Sequence, residues 1–168
     1  MKGRKKYNRD GDNMAFKREV WINAPLEKVF EIASDLRNSA AILEHVVDVQ
    51  LLSEGPISKG TKLKEVREIR GRKAEALIVV TEFIPNQKYS VKSENNGLFV
   101  EYHYTFHPKD SGTIVQFEGV IHTKGFMNVL FKPVIASIIK KEDGNHLEDL
   151  KKYIEQQNDN KEEATTVQ

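Results

Sequence analysis

The sequence predicts an α+β fold, a curved antiparallel sheet arranged β-α-α-β6-α around a long C-terminal helix. Three observations carry this. The first is the stretch from Thr123 to Ile139, where Phe126, Met127, Val129, Leu130, Phe131, Val134, Ile135, Ile138 and Ile139 make the most apolar segment of the chain. Beyond it, Leu147, Leu150 and Ile154 keep the three-and-four spacing of one helical face. Apolar residues on so many sides of Phe126–Ile139 call for a concave partner, so one end of this helix is buried and the other merely docked. The second observation is a succession of strand-like segments and turn formers between Val46 and His122, which gives sequential hairpins and an antiparallel sheet. The third is a lone strand, Phe16–Ile22, followed by a proline-led helical pattern.

Taken in order, Phe16, Val20 and Ile22 alternate with Lys17, Glu19 and Trp21, as in a half-buried strand. Pro25 then opens a helix, because its fixed φ suits the first turn and the amide it lacks would be unpaired there. Leu26, Val29, Phe30 and Ala33 form the buried face of that helix. Ser34-Asp35 closes it and caps a second, through Leu36, Ala40, Ala41 and Leu43. Val46–Ser53, Gly60–Ile69, Ala74–Ile84, Lys88–Ser93, Leu98–His107 and Thr113–His122 are six further strands, with Gly71 in a hairpin turn. In Ala74–Ile84 the run Leu77-Ile78-Val79-Val80 is apolar on both parities, so the inward face of this strand stays open. Residues 1–14 read as a disordered basic arm, 15–156 as the domain and 157–168 as a disordered polar tail.

Composition narrows the functional classes. The 168 residues carry 26 Lys and Arg against 25 Asp and Glu, a net charge of +1, so no global field gathers nucleic acid and no nucleic-acid partner is expected. Cysteine is absent, which removes thiolate nucleophiles and thiolate metal sites and fits a reducing, cytoplasmic location. No secretory h-region follows the basic start. The Phe126–Ile139 stretch falls short of the roughly 20 residues a membrane span needs, so no integral membrane contact is expected. No spacing of histidines suits a metal and no glycine pattern cradles a phosphate, so neither a metal nor a cofactor is expected.

The run Val20-Trp21-Ile22-Asn23-Ala24-Pro25-Leu26-Glu27-Lys28-Val29-Phe30-Glu31-Ile32-Ala33-Ser34-Asp35 resembles the opening of the polyketide cyclase and dehydrase branch of the START-like, helix-grip superfamily (SRPBCC). The fragments Val80-Thr81-Glu82-Phe83-Ile84-Pro85 and Tyr104-Thr105-Phe106-His107-Pro108, then Gly112-Thr113-Ile114-Val115, are similar to it as well. The resemblance spans about Phe16 to Gln156. It implies a helix-grip fold with a cavity between sheet and terminal helix, which in relatives holds lipids, polyketides, hormones or other apolar molecules. Relatives include cyclases, aromatase/cyclases, transport and sensor modules and co-chaperones, so the resemblance places the site better than the chemistry.

By strand parity the sheet wall of such a cavity is Leu98, Val100, Tyr102, Tyr104 and Phe106 with Val115, Phe117 and Ile121, and Tyr89 nearby. The helix contributes Met127, Leu130, Phe131, Val134, Ile135 and Ile138. The plain alternative is that these side chains fill a core and leave no room for a guest. Tyr102 and Tyr104 are the best orienting groups, because a buried phenol needs a hydrogen-bond partner. Of the histidines, only His45 and His146 are placed where they could approach a ligand, with an exposed or capping role as the plain alternative for each, whereas by parity His103 faces away. Glu65, Glu68 and Glu82 read as solvated, and Glu65 with Arg67 as a surface ion pair. No catalytic constellation is evident.

Binding or transport of a small hydrophobic molecule, lipid, isoprenoid or polyketide-like, is the first expectation. The alternatives are a cyclase or dehydratase in which Tyr102, Tyr104 or a histidine moves protons, and a protein-interaction module. For the last, the two-sided apolar run Leu77–Val80 suggests a covered outer face and a possible homodimer.

Overall fold

In the first strand, β1 (Asn13–Ile22), Phe16, Val20 and Ile22 are buried while Lys17, Glu19 and Trp21 stay exposed, so the alternation read from the sequence sets its two faces. The computed structural model describes residues 13–69, 71–95, 97–123 and 146–166. After β1 come α1 (Leu26–Ser34), a 3-10 turn (Leu36–Asn38) and α2 (Ser39–Ile42). Pro25 is the N-cap of α1, and Val29, Phe30 and Ala33 are its buried stripe. Asp35 caps the 3-10 turn by accepting from the Arg37 amide at 3.1 Å, and it also pairs with the Arg37 guanidinium at 2.6 Å. That hydrogen-bonded pair holds the Asp35 carboxyl below the usual carboxylate range.

Six strands follow: β2 (Val46–Leu51), β3 (Lys62–Ile69), β4 (Arg72–Ile84), β5 (Lys88–Asn95), β6 (Leu98–Lys109) and β7 (Gly112–Thr123). All neighbours are antiparallel in one seven-stranded sheet ordered β1-β7-β6-β5-β4-β3-β2. The sheet is curved and its concave face takes the C-terminal helix α3 (His146–Thr166), the helix-grip arrangement. Leu147, Leu150 and Ile154 of α3 are buried, at 6%, 3% and 0% exposure. Two polar clips fix the helix to the end of β1: Lys151 Nζ donates to the Trp21 carbonyl at 3.0 Å, and the Asn23 amide donates to Glu155 Oε1 at 2.8 Å.

Three differences from the sequence reading have physical causes. Helix α3 runs to Thr166, into the stretch 157–168 expected to be a disordered tail; the Glu, Gln, Lys and Ala content of that segment favours helix. Strand β6 runs through Pro108, beyond the last residues that face β5, so the missing amide takes no bond from a neighbouring strand there. In β4 the inward parity left open by the sequence is settled by a register shift between Val80 and Glu82. Ile78 and Val80 face inward before it and Phe83, opposite Tyr89, after it. A bulge of this kind puts one extra residue on a strand and so rephases its side chains.

Gly119 of β7 faces Phe16 across the pair, and the Phe16 ring lies over it so closely that any Cβ would collide with the ring. Gly119→Ala is therefore expected to lower stability by about 1–3 kcal/mol through overpacking. Urea denaturation measures this, and the double variant with Phe16→Leu should recover part of the loss.

Candidate functional site

The concave face is laid out as rows running across the strands. In one row Tyr89 pairs with Tyr104 and Tyr104 with Phe117; in the next, Val91 pairs with Tyr102 and Tyr102 with Gly119; in a third, Phe106 pairs with Val115. Antiparallel pairing sets directly opposed residues on the same face, so strand alternation alone builds this aromatic wall. Tyr89 and Tyr104 stack with centroids 4.5 Å apart, and Tyr104 lies 4.9 Å from Phe117. From α1, Phe30 meets Phe83, Tyr89 and Phe106 edge-on.

His146, at the start of α3, stacks on Phe117 at 5.1 Å and 19°. Its Nε2 is 2.7 Å from the Tyr104 hydroxyl, a hydrogen bond in which the imidazole tautomer decides the donor. If the imidazole accepts, the phenol oxygen keeps lone pairs for another donor; if it donates, the phenol proton points elsewhere. The pair is thus an amphoteric polar group within an aromatic surround. Burial raises the Tyr89 phenol far above its ordinary pKa, with the neighbouring Tyr104 hydroxyl pulling more weakly the other way, so Tyr89 stays neutral at physiological pH.

Among the residues expected to line a cavity, Tyr89, Leu98, Tyr102, Tyr104, Phe106, Val115 and Phe117 are buried on the concave side and Val100 is half-buried against the same core. Met127, Leu130, Phe131, Val134, Ile135 and Ile138 lie outside the described residues. His146 joins Tyr104 through the hydrogen bond just described. His45 lies between α2 and β2, its carbonyl accepting from the Glu68 amide at 2.8 Å. His103 is on the opposite face of the sheet, with Nδ1 2.9 Å from Ser90 Oγ.

Glu65 and Arg67 correct the sequence reading. Leu63, Glu65 and Arg67 share a parity on β3, and Leu63 is in the core at 1% exposure, so both charged residues point into the concave side. The Glu65 side chain is 8% exposed and the Arg67 side chain 21%, and they form an ion pair through Arg67 Nε. Charges on both parities of β3 hid this, because no alternation remained to tell the faces apart. Phe83 was hidden by the bulge before it. Among the described residues, no group of three or more His, Asp and Glu side chains is placed to hold a metal ion. Nor is any helix among them long and apolar enough to cross a membrane.

An open antiparallel sheet closed on its last helix, with an aromatic wall and isolated polar groups on the inner face, defines a protein of the helix-grip class. The sequence profile described as "Polyketide cyclase / dehydrase and lipid transport" matches residues 14–155, and the chain belongs to that family. Among solved structures it is similar to Ara h 8.0201, with 16% identity, a TM-score of 0.69 and coverage of 84% of this chain and 97% of that one. It is also similar to the Zhui aromatase/cyclase from a Streptomyces species, with 13% identity, a TM-score of 0.71 and coverage of 85% and 94%. A third is a protein from Thermus thermophilus, TTHA0849, with 19% identity, a TM-score of 0.67 and coverage of 83% and 96%. At these identities the likeness is one of fold. A comparison with curated protein sequences finds no match.

Proposed function

We propose that this protein binds or carries a small hydrophobic molecule, lipid-, isoprenoid- or polyketide-like, between the concave face of its sheet and the C-terminal helix. The carrying observation is the aromatic wall of Tyr89, Tyr102, Tyr104, Phe106 and Phe117 with the Tyr104–His146 pair set into it. An apolar lining with few convergent polar groups suits a ligand that is mostly hydrocarbon and has one carbonyl or hydroxyl to orient. Tyr104 is the orienting group, held in place by His146.

A thermal-shift screen of fatty acids, isoprenoids and aromatic polyketides tests this, because a ligand that binds only the folded state raises Tm. For a carbonyl-bearing ligand found in that screen, Tyr104→Phe should weaken binding by about three- to tenfold, the worth of one hydrogen bond. A pure hydrocarbon analogue should bind the variant unchanged. No shift with any of the three classes overturns the reading.

The same pair favours a second reading, a cyclase-type enzyme in which Tyr104 and His146 exchange a proton with an enolisable polyketide. A phenol hydrogen-bonded to an imidazole can donate or accept at the same atom, and orientation by the wall supplies much of the remaining rate. Turnover of a poly-β-ketone that is lost in both Tyr104→Phe and His146→Gln distinguishes enzyme from carrier.

A further inference from the structure

The concave face is not evenly filled. One inward row crosses the strands as Leu51, Leu63, Ile78, Ser93, Val100 and Ile121, each directly opposite the next. At its centre Ile78, Ser93 and Val100, on the three middle strands of the sheet, are only half-buried. The residues around them are closed off: Leu63 and Ile121 in the row, Val80, Val91 and Tyr102 in the next, and Leu98 on the far side of Val100 are all buried. Exposure at a fraying rim would grow toward the strand end, yet Leu98 begins β6 and is better buried than Val100. The three side chains therefore floor a hollow in the inner face. Ser93 is the polar residue of that row. Among the described residues its hydroxyl has no hydrogen-bond partner, and the oxygen is not fully buried. A hydroxyl set on an apolar floor with no bond to make adds nothing to stability.

We propose that this hollow is a subsite for the guest, and that Ser93 there hydrogen-bonds an uncharged oxygen of it, in a hydroxyl, carbonyl or ester. The inference rests on the hydrophobic-ligand reading above and narrows its ligand class to neutral molecules. A serine hydroxyl can donate to a carbonyl or accept from an alcohol at the same atom. The row holds no cation, so a carboxylate brought onto this floor would lose its hydration without return. Glu65, two strands over and one row on, is about 12 Å from Ser93 and is paired with Arg67. Tyr104 is one strand over and four residues along, about 14 Å away, too far for one polar atom of a guest to meet both hydroxyls.

Decan-1-ol, decanoate and decane are the probes, matched in tail and differing in head. Titrated by displacement of N-phenyl-1-naphthylamine at pH 8, the alcohol should bind the native protein about tenfold or more tighter than the acid. Ser93→Ala should weaken the alcohol by about three- to tenfold, the worth of one hydrogen bond, and leave decane unchanged. Val100→Phe should fill the hollow, abolishing binding of all three probes while Tm holds or rises. In a floor already covered by packed side chains the added ring would lower Tm instead. Alcohol binding unchanged in either variant, decanoate binding as tightly as decan-1-ol, or a lowered Tm or failure to fold in Val100→Phe overturns the proposal and leaves the hydrophobic-ligand reading intact. Binding of none of the probes by the native protein counts against both.

Discussion

Phe117→Ala is expected to lower the unfolding free energy by about 3–5 kcal/mol, the range for truncating a fully buried phenylalanine. Its ring is 1% exposed and meets Phe16 at 5.7 Å, Tyr102 at 5.1 Å, Tyr104 at 4.9 Å and His146 at 5.1 Å. Its removal strips one side from all four at once. A strand residue cannot easily collapse into the vacancy, because pairing to β1 and β6 holds the backbone on both flanks. Against a typical domain stability of about 5–15 kcal/mol, such a loss is a large fraction of the whole. Urea denaturation at constant m-value measures it, and a change below about 1 kcal/mol would mean that the ring does not pack as described. Phe117→Leu keeps much of the volume and should recover a good part of the loss.

Ile154→Ala should cost about 2–5 kcal/mol for a related reason. Ile154 is fully buried on α3, on the stripe begun by Leu147 and Leu150. The helix is polar beyond this stripe, so its attachment depends on few apolar residues and on the clips to Trp21 and Asn23. Loss of Ile154 should accordingly loosen α3 before it loosens the sheet. Hydrogen exchange should reveal faster exchange in α3 than in β6 and β7 of the variant, whereas equal acceleration everywhere would deny α3 a separate opening. Lys152→Ala, on the exposed side of the same helix, is the control and should change stability by no more than about 0.5 kcal/mol.

What could be read from the chain alone follows from how strongly a residue's surroundings are encoded locally. The parity of β6 and β7 was plain because Leu98, Tyr102, Tyr104 and Phe106, and Val115, Phe117 and Ile121, keep to every second position over whole strands. Helix α1 was plain because proline and a three-and-four pattern agree. The inward turn of Phe83 was not, since it depends on a register shift against β5 that no pattern within β4 records. Nor was the burial of Glu65, because a strand carrying charge on both faces reveals neither. The bond between Tyr104 and His146 joins a strand to a helix distant in sequence, so parity and helical periodicity each supply half of it and only the docking angle of α3 completes it.

The order of the strands also bears on how the chain acquires its shape. The first strand made has no partner among its near neighbours in sequence: Asn13 must find His122, and Ile22 must find Thr113. The five hairpins from β2 to β7 can form one after another by closing short loops. The N-terminal strand has to wait for the last of them, so the pairing of β1 with β7 raises the contact order of the fold and is expected to form late. During synthesis that strand is the part of the domain exposed longest, and its charged outer residues Lys17 and Glu19 serve to keep it from pairing with other chains meanwhile.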